Sequence, residues 1–288
     1  GPGVLGQLYE GTPATIVVRG SLLERNHEVG VGVAGGSLTV EDSVVRDTGP
    51  TAKNTVGTGI LAALDQATKT APNLVVRGSL VASNLEIGIS QTNGLGLIER
   101  TVVRATNGAP ARPWYGVGIQ ADPGTDMTIR ESVVEDNHHL GIAVFAATAR
   151  IERTIVRGTR AYPGRVGGVG LGANTVSTAG ARLPKMTLQD SLILDNQSAG
   201  IMLGDGEFRL ERSVVRGTVA AENGKFGDGL ILVAALPDGG LGVVEDVLFE
   251  RNARAGLAVF TGRLSVSKSR FRCNPFDLDL DGSLGTLD

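Results

Sequence analysis

Apolar residues in this chain come in short bursts of fixed design. From about residue 14 onward the order apolar-x-x-Ser/Thr-apolar-apolar-x-x-Asn/Thr occurs ten times, starting at Val18, Val40, Val76, Ile98, Ile129, Ile151, Leu188, Leu210, Val244 and Val266. Each copy is followed by a Gly-apolar-x-apolar segment, as in Gly30-Val31-Gly32-Val33, Gly141-Ile142-Ala143-Val144 or Gly256-Leu257-Ala258-Val259. Alternation at period 2 puts successive side chains on opposite faces of a strand, whereas a helical repeat would need ten-residue amphipathic stretches. The bursts therefore predict strands, repeated every 22 to 37 residues and separated by Gly, Asn and Asp.

Strands that recur in the same order bury their apolar side by stacking, each pairing in parallel with its counterpart about 4.8 Å away. The pattern thus predicts an all-β chain, a parallel β-helix of about ten coils and roughly 48 Å in length. The hand is expected to be right, because parallel crossovers are right-handed in nearly all cases. Ser-Val-Val-Arg-x-Thr, and Leu-x-x-Asn followed by Gly-Ile-x-Leu, resemble the right-handed parallel β-helix proteins of the pectate-lyase-like superfamily over residues 14 to about 283. The resemblance implies a fold and little about activity, since that superfamily includes lyases, hydrolases, epimerases, tailspikes and non-catalytic surface proteins. Residues 1–13 read as a tag remnant, Gly1-Pro2-Gly3, with an N-terminal cap; 14–283 as the β-helix; 284–288 as a tail.

Aligned coils make vertical columns. One holds Ser21, Ser43, Ser79, Thr101, Ser132, Thr154, Ser191, Ser213 and Ser269, broken by Val247. Five residues on, Asn26, Thr48, Asn84, Thr106, Asn137, Thr159, Asn196, Thr218, Asn252 and Asn274 alternate almost strictly, so that a short Asn coil precedes a long Thr coil in a unit of about 57 residues. Small hydroxyls and amides at turns satisfy backbone groups, and a bonding ladder is expected there. Charge follows the same beat: Arg19, Glu41, Arg77, Glu99, Arg130 and Glu152 alternate up one column, which reads as register control. If those pairs are solvated, Glu99→Arg costs no more than about 1–2 kcal/mol and salt relieves it. Two adjacent columns are both apolar, Leu22, Val44, Leu80, Val102, Val133, Ile155, Leu192, Val214 and Leu248 beside Leu23, Val45, Val81, Val103, Val134, Val156, Ile193, Val215 and Phe249. Either a corner turns both inward or one forms an exposed stripe suited to self-association.

Composition narrows the chemistry. Forty-two glycines against one Trp, three Tyr and seven Phe indicate turns rather than a bulky α/β core, and a net charge of −3 removes any whole-chain argument for nucleic acid. No apolar run is long enough for a membrane-spanning helix. One cysteine, Cys273, reads as a core residue or half of a disulfide with a partner elsewhere; three histidines make no familiar zinc pattern. No cofactor or metal is indicated. His138 and His139 read as a solvated turn, and the carboxylate patterns of pectate lyases and polygalacturonases do not occur.

Candidate function therefore rests on the loops. Four stand in line on the long coils, at 49–58, 107–117, 160–169 and 219–228. They carry Lys53; Arg112, Trp114 and Tyr115; Arg160, Tyr162 and Arg165; Lys225, Phe226 and Asp228. A cation beside an aromatic plane suits a sugar ring bearing carboxylate or sulfate; the same aromatics could instead hold the loops to the barrel. The favoured expectation is a non-catalytic, secreted or cell-surface β-helix that binds acidic polysaccharide or a surface protein. The alternatives are a polysaccharide lyase, hydrolase or epimerase with a divergent site on the same loops, and a structural spacer or assembly module.

Overall fold

The computed structural model describes residues 1–8, 11–165, 167–175, 182–235 and 239–280, with the strand Gly285–Leu287. The chain is a right-handed parallel β-helix, and every strand pairing among the described residues is parallel save one isolated bridge between Ala109 and Arg112. Each coil runs through three strands. In the first complete coil they are Val29–Ala34, Gly36–Glu41 and Val44–Arg46, which belong to sheets 1, 2 and 3 respectively. Sheets 1 and 2 merge where Ile87–Glu99, Val117–Arg130 and Ala255–Ser267 run unbroken through the corner between them. Sheet 3 is a stack of ten three-residue strands among the described residues. Sheet 1 also reaches into the segment read as tag and cap, where Val4–Gln7 pairs with Val29–Ala34.

The interior is built from the inward column of each sheet. Val31, Ile60, Ile89, Ile119 and Ile142 sit in register and are essentially without solvent contact. Sheet 3 decides between the two apolar columns: Val45, Val81, Val103, Val134 and Val156 are fully buried, while Val44, Val102 and Ile155 beside them face out and remain half-exposed. No corner turns both inward. The bends at both ends of each sheet 3 strand pass through left-handed backbone, as at Asp42, Arg100 and Glu131 before the strand and Asp47, Ala105 and Asp136 after it. Their N–H groups reach the carbonyl one coil on, for example Asp42 to Arg77 at 3.0 Å and Asp47 to Ala82 at 3.1 Å, so the ladder continues around the corner.

The hydroxyl column is a bonding ladder. Ser43 Oγ donates to the Glu41 carbonyl at 2.7 Å and accepts the Ser21 N–H at 3.1 Å; Ser132 and Ser191 do the same for Thr101 and Thr154. In the next column each Asn serves the coil before it. Asn137 Oδ1 accepts the Thr106 N–H at 3.0 Å and its Nδ2 donates to the Val103 carbonyl at 3.3 Å, an arrangement repeated by Asn84, Asn196 and Asn252. The glycine second in the sheet 1 strand of each long coil leaves room for this: a Cβ at Gly59 would stand 2.7 Å from Asn84 Nδ2 and 2.7 Å from the Gly88 carbonyl.

Two expectations need correction. Glu99 is not a solvated partner: it is 6% exposed, with Arg130, Arg77 and Arg100 at 2.7, 3.2 and 3.4 Å. Stacking buries a carboxylate that has guanidinium groups above, below and beside it. Cys273 is exposed and free, in left-handed backbone at the bend after the tenth sheet 3 strand, and is not a core residue.

Candidate functional site

The long loops fold back over the exterior of sheet 1. Beneath them, outward-facing positions lose their solvent: Val117 and Ala143 are fully buried and Ile231 nearly so. Val169, Ala199 and Ile231, with Leu140, Met202, Phe226 and Phe260, make a second apolar cluster outside the barrel. The loops also join end to end. The Ala111 N–H donates to the Asn54 carbonyl at 3.1 Å, Arg165 lies 4.7 Å over the Trp114 ring, and the Gly164 N–H donates to Glu222 at 3.0 Å. Four separate insertions thus become one ridge running along the rod.

The ten loop residues singled out in the sequence divide by depth. Lys53, Arg112, Arg160, Tyr162, Arg165 and Lys225 are exposed on the ridge and Trp114 is half-exposed. Arg112 also reaches down to Glu86, Nε to Oε1 at 3.0 Å, and stands 5.6 Å over the Tyr115 ring. Arg160 is tied to the backbone carbonyls of Thr159 and Asp195. The other three point inward. Tyr115 donates its hydroxyl to Gln120 at 2.6 Å, and burial, aided by the Asp122 charge, pushes that hydroxyl up to about 12. Phe226 sits in the outer apolar cluster. Asp228 is fully buried, bonded to the Ala255 N–H at 3.2 Å and paired with Arg254 at 2.8 Å; burial holds its carboxyl above the usual range against the pull of that arginine.

Around Tyr115 the structure assembles side chains that the sequence pattern did not single out. Gln120 donates to both oxygens of Asp122 at 2.9 and 3.0 Å, Ser90 approaches the same carboxylate at 3.5 Å, and burial raises the Asp122 carboxyl above its ordinary value. The His139 ring lies 5.6 Å from Tyr115. His138 and His139 are therefore not a solvated turn: both are half-buried, and burial lowers the His138 ring below the usual histidine value. A signal did exist. The residue before the sheet 1 strand is Gly57, Gly116, Gly168 or Gly227 in long coils, whereas in four of the five short coils it is Glu28, Glu86, His139 or Ser198, all four in left-handed backbone, and in the fifth it is Arg254. A side chain at a position that favours glycine marks a spot worth inspecting.

A surface groove of about 600 Å³ lies away from the ridge, on sheet 2 between Lys185, Glu207, Arg209, Leu241 and Arg263. No group of three His, Cys, Asp or Glu side chains that could hold a metal occurs among the described residues, nor does a helix long and apolar enough to cross a membrane.

No protein-family model and no curated protein matches the sequence. Among solved structures the chain is similar to the periplasmic alginate epimerase AlgG, with a TM-score of 0.55 at 11% identity, covering 100% of this chain and 77% of that one. It is also similar to the catalytic domain of a GH87 α-1,3-glucanase, with a TM-score of 0.42 at 10% identity, covering 95% of this chain and 61% of that one. At such identity the likeness to AlgG is one of fold, the parallel β-helix.

Proposed function

We propose that the loop ridge binds an acidic polysaccharide without turning it over, on a secreted or surface-displayed chain. One observation carries the reading: the four loops hold Lys53, Arg112, Arg160, Arg165 and Lys225 against two carboxylates, Glu222 and the buried Asp228, in a chain of net charge −3. Cations gathered along a continuous ridge suit a polymer with carboxylate or sulfate on successive rings. Trp114, with Arg165 on one ring face, supplies a plane against which a sugar can lie. The fold neighbour AlgG is an alginate epimerase, which agrees with an acidic-polymer ligand without establishing one.

The test is a panel of uronate, sulfated and neutral polymers, with reducing-end assays on every polymer bound. Lys53, Arg165 and Lys225 replaced together by Gln should weaken binding to charged polymers at least tenfold and leave melting unchanged, since loop tips contribute little to a stacked core. Equal binding by the variant, or a preference for neutral polymers, overturns the reading. Trp114→Ala is a cleaner aromatic test than a change at Tyr115, whose hydroxyl is bonded beneath the ridge.

A second reading has its own support. Burial raises the Asp122 carboxyl above its ordinary value, and Tyr115 and His139 lie close by, a set able to move protons in a lyase, hydrolase or epimerase. Product formation from a bound polymer, lost in Asp122→Asn and His139→Gln while binding persists, would establish it.

A further inference from the structure

Among the described residues no loop covers the exterior of sheet 3, whose outward side chains such as Val44, Val102 and Ile155 stay half-exposed. Its outward aliphatic column runs from Leu22 on the first coil to Leu248 on the ninth, with Arg270 in that position on the tenth, and Leu22 and Leu192 within it are 55% and 37% exposed. Two residues bracket that column on every coil, one before the hydroxyl position and one closing the strand. From the fourth coil onward they share a sign within a coil and change it between coils: Arg100 and Arg104, then Glu131 and Glu135, then Arg153 and Arg157. Asp190 follows with neutral Leu194, then Arg212 and Arg216, then Asp246 and Glu250. The face is a set of charged rows of alternating sign, about 4.8 Å apart, crossed by an aliphatic stripe. Ion pairs within the chain do not exhaust these rows. Arg153 and Arg157, paired with Glu131 at 3.2 Å and Glu135 at 2.6 Å, keep 48% and 52% of their side chains exposed.

We infer that sheet 3 docks onto sheet 3 of a second copy of this chain, with the two rods antiparallel. Rows at this spacing find their complement in rows at the same spacing, and a second copy supplies them. A two-fold axis along the rod would set each row against an identical row, like charge on like. A two-fold axis across the rod reverses the order of rows, and between the fifth and sixth coils it brings opposite signs together. Glu131 and Glu135 then face Arg153 and Arg157 of the second copy, Arg100 faces Asp190, and Glu24 faces Arg272. Asp42 against Asp246 is the one like-charged pair. The aliphatic columns meet between the rows from the second coil to the ninth, Val133 opposite Ile155, and at either end Leu22 meets Arg270. Ten coils of about 4.8 Å and a width of five residues at about 3.3 Å present roughly 800 Å² per partner, the size of a standard stable interface. The ridges over sheet 1 stay free, and the inference is independent of what they bind.

Sedimentation equilibrium of the full chain at micromolar concentration tests this. The expected mass is twice 29.7 kDa. Val133→Glu alone and Ile155→Lys alone should each be monomeric with unchanged melting, because both side chains point outward. An equimolar mixture of the two should be dimeric again, because Glu then meets Lys across the two-fold axis. A monomeric wild-type chain, variants that remain dimeric, or a mixture that stays monomeric overturns the inference. Should Val133→Glu lower the melting temperature, Leu192→Glu mixed with Val102→Lys repeats the test at facing positions one coil further from the axis.

Discussion

Short and long coils share the same three strands and differ at one corner. In a short coil the corner is Asn137, whose side chain is fully buried and makes two bonds to the backbone of the coil before it. In the long coil it serves, the equivalent residue is Thr106, equally buried, whose hydroxyl has no hydrogen-bond partner. Thr48 and Thr159 repeat that state. The short coil thus supplies the bonds that hold the corner, and the long coil, freed of that duty, leaves the corner into a loop. Alternation divides labour: one coil clamps, the next reaches out over sheet 1. Charge follows the same division, with Glu99 on a long coil held between Arg77 and Arg130 of the short coils on either side.

The sharpest way to break the comparison is at Glu99. Glu99→Arg would place a fourth guanidinium among three, with no carboxylate between them, and a loss of about 3–5 kcal/mol is expected in urea unfolding. Added salt should recover little of it, because the site is shielded; a loss below about 1 kcal/mol would return the column to the solvated class. Next comes Asn137→Ala, which strands the Thr106 N–H and the Val103 carbonyl and should cost about 3 kcal/mol. Thr106→Val, in the same corner, should have the opposite sign, a gain of up to about 1 kcal/mol, since it removes a buried hydroxyl that bonds to nothing. Equal losses from Asn137→Ala and Thr106→Val would mean that the two coil types are held alike.

The smallest effect concerns the loop-covered face of a long coil. Burial raises the Asp122 carboxyl, so the folded chain keeps that proton at pH values where the unfolded chain, near 3.8, has released it. The resulting penalty is present above the folded value and lifts as pH falls through it. The stability of Asp122→Asn relative to wild type should therefore decline from neutral pH toward the ordinary carboxylate range. A flat or rising difference would show Asp122 to be more hydrated under its loop than its bonds to Gln120 and Ser90 imply.

Much of the fold was legible because a stacked coil is a local object. Ser43, Asn84 and Val45 each recur in columns, and a column in the alignment is a column in space. The candidate site was legible only in part. The four loops could be seen to stand in line, and Arg112, Trp114 and Arg165 do meet neighbours there. Nothing in the spacing revealed that Tyr115, Phe226 and Asp228 turn inward, because loop residues carry no period from which to read a direction. Gln120 and Asp122 were missed, and His139 was read as solvated, for the complementary reason: they belong to strand and corner positions that periodicity assigns to the scaffold, and they acquire a partner only when a loop from another part of the coil closes over them.

The amino-acid sequence by itself determined the parallel β-helix, the pairing of short and long coils, the hydroxyl and amide ladders and the charge beat. Each of these rests on contacts between equivalent residues one coil apart, which repetition writes directly into the chain. The tertiary structure alone decided which of two adjacent apolar columns faces out, how deeply Glu99 is buried between three arginines, and which loop side chains look outward from the ridge. Those outcomes depend on the angle of a bend and on what covers a surface, and both arise from packing between segments that no repeat relates.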